Sequence, residues 1–313
     1  MAIGNDCPMK KPVSVRSLYE WLFNQGAGWL FLTPALLFLG LFVFYPIADL
    51  IYLSFTAGSF TRAGVHFVGL RNYVRLLLNP DFWQVLGNTL YFTGATVIPS
   101  LVLSLGLAVL LNQAIAPAKR SWLTLQDLLR TAYFLPSITA LVAVGLGWRW
   151  LFQTDGPINQ ILSSLGLDPV PWLSSPVWAM PVLVLLSIWK QLGFNLVVFL
   201  AGLQTIPKNR YEAAVLDGAN AWQQFWHITL PGLRPTLIFA TVTTAIFSLR
   251  SFEQVYVITG GGPLNTTNLL VYYIYEQAFA QFDFGYAAAA ATILLIITLG
   301  LVWLQLRDRP TAE

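Results

Sequence analysis

Long runs without an ionised side chain constrain this chain more than any other feature. Gly26–Ala48, Asn88–Gln113 and Tyr286–Leu306 contain no Asp, Glu, Lys or Arg, and Trp178–Leu203 contains one, Lys190. About 20 consecutive apolar residues cross a bilayer as a helix, the form that satisfies its backbone polar groups internally. Only 10% of the 313 residues are charged, against about 25% in soluble domains, and the mean hydropathy is +0.64. The chain therefore reads as an all-α integral membrane protein with about six transmembrane helices, at approximately 26–55, 88–113, 131–151, 178–203, 236–258 and 286–306. Residues 1–25 read as a tail with an interfacial segment around Leu18–Phe23, 26–306 as the transmembrane domain and 307–313 as a second tail. The first run is longer than the apolar core of a secretory signal, about 7 to 15 residues, and is read as a span.

Between the runs the composition changes. Thr56–Gly87 is mixed and contains the turn pair Asn79-Pro80; Pro136 falls inside span three. Span five ends in Thr259-Gly260-Gly261-Gly262-Pro263. Leu264–Gly285 carries Tyr272, Tyr273 and Tyr275 without a basic residue, which suits the outer headgroup layer. The net charge of +3 is too small to argue for nucleic acid, and its distribution is more informative. Lys10, Lys11, Arg16, Lys119, Arg120, Arg130, Lys208, Arg210, Arg234, Arg307 and Arg309 fall on the side of both termini and the 204–235 loop. Arg62, Arg71, Arg75 and Arg149 fall on the other. This bias of eleven to four puts both termini and the central loop in the cytoplasm. Cys7 is the only cysteine, so no internal disulfide or cysteine-based metal cluster can form.

The central loop is polar in a chain that is otherwise mostly apolar. Tyr211–Asp217 suits a short helix of good helix formers, with Gly218 as its stop. A second helix is expected from Ala219 to about Thr229, with Pro231 in a turn and Pro235 opening the next span. Glu212-Ala213-Ala214, then Gly218, then Ile228 and Leu230-Pro231, resembles the EAA loop of binding-protein-dependent ABC importer permeases. Asp217-Gly218-Ala219, Thr229-Leu230-Pro231 and Arg234-Pro235 are similar to the carbohydrate, maltose-type branch, as is Phe67–Leu77, FVGLRNYVRLL.

That resemblance implies a cytoplasmic coupling helix between spans four and five. Glu212, Ala213, Ala214, Asp217 and Gly218 would dock on a cytoplasmic ABC ATPase dimer. ATP and Mg would be bound by that partner, with no cofactor, metal or catalytic residue in this chain. It also implies a second permease subunit, related but different, an extracytoplasmic solute-binding protein and a bacterial cytoplasmic (inner) membrane. The binding protein would deliver solute near Thr259–Pro263 and Tyr272–Tyr275. Two other classes are weaker. A secondary transporter would show two similar halves and several membrane carboxylates, whereas only Asp49 and Glu253 fall within the spans. A membrane enzyme would need a catalytic constellation, and His66 and His227 fall on opposite sides of the bilayer.

Polar residues inside the spans outline a pathway. Thr244, Ser248 and Ser251 lie on one face of span five, Ser187, Gln191 and Asn195 on one face of span four, and Tyr133 and Ser137 flank Pro136. Such groups also mediate helix packing in membranes. Three stripes of neutral donors and acceptors suit an uncharged polyhydroxylated solute, a sugar, with Tyr133, Trp189 and Phe194 available to stack on it. Lys190 must find a partner, because a lysine near mid-span costs about 2.5 to 3.5 kcal/mol on insertion scales. An ion pair with Glu253 is the favoured reading, and contact with an anionic solute is the alternative.

Overall fold

The computed structural model describes Trp29 and residues 31–58, 64–113 and 135–307. The tail with Cys7, the Lys119, Arg120 and Arg130 connector, Tyr133 at the start of span three, and Arg309 lie outside the described residues. The chain divides into two compact units, Met1–Tyr52 and Leu53–Glu313. The first unit holds most of α1 (Phe31–Ser54), an apolar helix long enough to cross a membrane.

The second unit begins with a small antiparallel pair, β1 (Thr56–Ala57) and β2 (His66–Phe67), with Thr56 opposite Phe67. The amphipathic α2 (Arg71–Leu78) follows, and its buried Asn72 donates to the carbonyls of Ser54 and Thr56 at 2.9 and 2.8 Å. The long helix α3 (Pro80–Gln113) starts at Pro80 rather than at Asn88. Asn79-Pro80 is thus a helix junction more than a turn. Asn79 accepts the Asp81 N–H at 3.0 Å, and Pro80 stands where a missing N–H costs nothing.

The expected span three is interrupted. Residues 135–138 make one helical turn, the backbone breaks at Thr139-Ala140, and α4 (Leu141–Leu151) follows. Eleven residues are too few to span alone. After the short α5 (Pro157–Ser164), α6 (Ala179–Gln204) is continuous, apolar and half buried. The loop holds α7 (Lys208–Leu216) and the helical run α8 (Ala221–Gly232), and α9 (Arg234–Leu249) leaves α8 at a 68° bend.

Pro231 was expected in a turn but lies within α8. A wider π turn over Phe225–Thr229 precedes it, with the Leu230 N–H on the Phe225 carbonyl, and the altered ladder accommodates the ring. Pro235 makes the bend instead, because it has no N–H to offer the carbonyl of Pro231. Span five also differs from expectation: α9 ends at Leu249, the chain is non-helical at Ser251-Phe252, and helix resumes into a π turn over Val255–Thr259. Ser251 donates its hydroxyl to the Phe247 carbonyl at 3.3 Å and its N–H to Ser248, a local alternative to the helical ladder.

The chain ends in α10 (Leu270–Tyr275), which runs on as a π turn, and α11 (Phe284–Arg307). Tyr272 and Tyr273 are buried within the protein. Tyr273 hydrogen-bonds the Tyr286 hydroxyl at 2.9 Å, and Tyr272 packs against Phe252.

Four described helices are long and apolar enough to cross a bilayer, or five if α8 and α9 count as one bent span. The helices α3, α6 and α9 pack on one another. One end of that packing is filled by Leu196, Phe199, Leu203, Ile206, Leu233 and Ala240, and the other by Phe92, Leu183, Leu186, Val255 and Leu269. Lipid tails are as apolar as these side chains, so close fit rather than hydrophobic transfer holds the bundle. Gly202 shows how close: a Cβ there would meet Thr236 Oγ1 at 2.6 Å and Leu233 at 2.9 Å.

Candidate functional site

Two places bring polar groups together. The first is the exposed loop between α6 and α9. Glu212, Ala213, Asp217 and Gly218 are exposed and Ala214 half-buried. Gly218 closes α7 in the left-handed region, φ +77°. Its N–H bonds the Val215 carbonyl at 3.1 Å, and the Ala219 N–H bonds the Ala214 carbonyl at 2.9 Å, the paired bonds of a Schellman stop. Asn220 then opens α8 with a capping box: its side chain accepts the Gln223 N–H, and Gln223 accepts the Asn220 N–H, both at 2.9 Å. Tyr211 bonds the Thr229 hydroxyl at 2.9 Å, and Gly232 leaves room for Ile206. These ties hold α7 as a rigid protrusion whose apolar Val215 and Leu216 stand 62 and 89% exposed.

The second is a cavity of about 560 Å3 at the two helix breaks. It is lined by Ser137 and Leu141 around the first break, by Ser187, Lys190, Gln191 and Phe194 of α6, and by Phe247 and Arg250–Gln254 around the second. Irregular backbone at membrane depth is tolerated where it lines such a space. Of the proposed pathway residues, Ser137, Ser187, Lys190, Gln191, Phe194 and Ser251 line it. Asn195, Thr244 and Ser248 do not.

Those three residues stitch helices together. Thr244 donates to Asn195 Oδ1 at 3.0 Å and Gln191 Nε2 to Ser248 at 3.2 Å, while Gln254 Nε2 donates to Ser187 at 3.2 Å on the next level. The hydroxyl face of span five thus meets the amide face of span four. Such bonds average about 0.6 kcal/mol in membranes, so Thr244→Ala or Ser248→Ala is expected to leave assembly near normal. In a Cys7→Ser background, a cysteine at Ser251 should react with a small polar thiol reagent while one at Thr244 or Ser248 stays unlabelled. The reverse pattern would show that the stripe faces the cavity.

Lys190 does not pair with Glu253. Its ammonium donates to the Thr139 carbonyl at 3.0 Å, a group freed by the break after residues 135–138. Near the end of that helical turn a cation is favoured over the competing carboxylate. Trp189 packs against Trp148 with the rings tilted at 48° and their centroids 5.9 Å apart and is not in the cavity wall, whereas Phe194 meets Phe247 edge-on at 5.7 Å within it. Phe247, Arg250, Phe252 and Gln254 are wall residues that periodicity missed, because the face they occupy is created by the helix break. The usable signal was the polar trio Arg250, Glu253 and Gln254 inside an apolar run.

Residues 89–311 match the family described as binding-protein-dependent transport system inner membrane component. The sulfoquinovosyl glycerol transport system permease protein SmoG of Agrobacterium fabrum is 36% identical over 89% of this chain and 88% of its own length. The lactose transport system permease protein LacF of Rhizobium radiobacter is 36% identical over 89% and 92%. A chain of a bacterial alginate ABC transporter, crystallised with its alginate pentasaccharide-bound periplasmic protein, shares the fold with a TM-score of 0.76 at 24% identity, covering 92% of this chain and 95% of that one. The chain belongs to the family of inner membrane components of binding-protein-dependent transport systems. It is a multi-pass membrane permease of the ABC importer type, a transport subunit rather than an enzyme.

Proposed function

We propose that this chain is the translocation subunit of an ATP-driven importer for a saccharide, with α7 as the element that receives force from a cytoplasmic ATPase. The observation that carries the coupling role is the rigid, exposed α7 between two membrane helices. Its small Ala213 and Ala214 permit close approach, and Glu212 and Asp217 offer charges for basic residues on the partner. The saccharide reading draws on the lactose and sulfoquinovosyl glycerol relatives and on a cavity that combines hydroxyls, amides and aromatic rings. A binding protein would deliver solute to the face opposite the loop, and a second permease would complete the path. ATP and Mg would act in the ATPase. Closure of that ATPase would push α7, and the 68° junction at Leu233 would carry the motion into α9.

A photocrosslinker attached to Ala213→Cys in a Cys7→Ser background is expected to join the ATPase subunit in the assembled complex. A crosslink only to lipid or to the other permease would remove the coupling role.

Orientation has its own test. An alkaline phosphatase fusion at Pro171 or Leu264 should be active and one at Ala118 or Asn209 inactive. Activity at Asn209 would put the loop outside the cell and leave it no ATPase to meet.

A further inference from the structure

We infer that the solute carries an acidic group, a carboxylate or sulfonate on a sugar, which Lys190 and Arg250 hold in the cavity; this rests on the saccharide-importer reading above. Three ionisable side chains line the cavity, Lys190, Arg250 and Glu253. Two are cations and one is an anion. None of the three forms an ion pair with another described residue. Lys190 spends one N–H on the Thr139 carbonyl, which leaves two donors, and the Arg250 guanidinium is exposed.

Leu141, Phe194, Phe247 and Phe252 make up the apolar part of the wall, so the two cations are the strongest partners it offers an anion. A planar guanidinium matches two oxygens of a carboxylate or sulfonate, and an ammonium adds a third contact. Glu253 sets the surplus at one, which a monoanion cancels. The neutral part of the solute has a partner nearby in Gln191, whose buried Oε1 has no hydrogen-bond partner among the described residues. The volume of about 560 Å3 falls in the range of about 300–1,000 Å3 typical of small-molecule sites.

The test uses the assembled importer with its binding protein in proteoliposomes. Labelled glucuronides and 6-sulfonated glucosides are each compared with the neutral glucoside of the same aglycone. The acidic member should be imported with kcat/KM at least about tenfold higher, the effect of one charge-assisted contact. Lys190→Gln and Arg250→Gln should each raise KM for it by about ten- to a hundredfold. Equal or better import of the neutral glycoside by the unmodified complex overturns the acidic-group inference and leaves the saccharide reading standing. Import of neither kind overturns both. The unmodified complex decides between these results even if a variant fails to assemble.

Discussion

Gly218→Pro is expected to abolish ATP-driven uptake while the permease still folds and assembles and the complex still hydrolyses ATP. Gly218 has φ +77° and donates its N–H to Val215; proline can do neither. The stop of α7 is lost, and with it the fixed angle between α7 and the capped start of α8. A cost of about 3 kcal/mol on the coupled conformation corresponds to about a hundredfold fall in uptake. Glu212→Lys tests the same protrusion through charge, since Glu212 is exposed. Uptake and ATPase activity measured together in proteoliposomes decide the matter. Wild-type uptake by both variants would mean that α7 transmits nothing.

Gly202→Val should fail earlier, at assembly. The added Cβ alone would lie 2.6 Å from Thr236 Oγ1, 2.8 Å from its Cγ2 and 2.9 Å from Leu233, at the point where α6 crosses the start of α9. Overpacking of this kind costs about 1–3 kcal/mol, and here it also disturbs the junction from which the bend departs. The variant is expected to lose the monodisperse size-exclusion peak of the complex and its uptake. Gly300→Val is the control, because nothing lies within 4 Å of a Cβ at that site. A Gly202→Val complex that elutes and transports normally would disprove the close approach.

Hydropathy alone revealed α6 and α11, because a run without charge and over twenty residues long has few other destinations. The stop at Gly218 was legible because good helix formers end there in a residue that tolerates the left-handed region. The breaks at Thr139-Ala140 and Ser251-Phe252 were not, since a hydropathy window averages over a two-residue interruption without registering it. The cavity lies at those breaks, so its wall was only partly visible. Periodicity put Thr244 and Ser248 on one face correctly, but a face says nothing about its neighbour, which proved to be Asn195 and Gln191 of α6. Lys190 was misread for a related reason. Its partner is the Thr139 carbonyl, which is left free for a side chain only because the helix is broken there.

ATP-dependent accumulation of a labelled saccharide distinguishes an importer subunit from every other assignment. The complete complex is reconstituted in proteoliposomes, with ATP on the side of the α7 loop and the binding protein with sugar on the opposite side. Accumulation against a gradient is expected, stopping when ATP is withheld and persisting when proton and sodium gradients are collapsed. Accumulation that ignores ATP and follows an ion gradient would contradict the importer assignment.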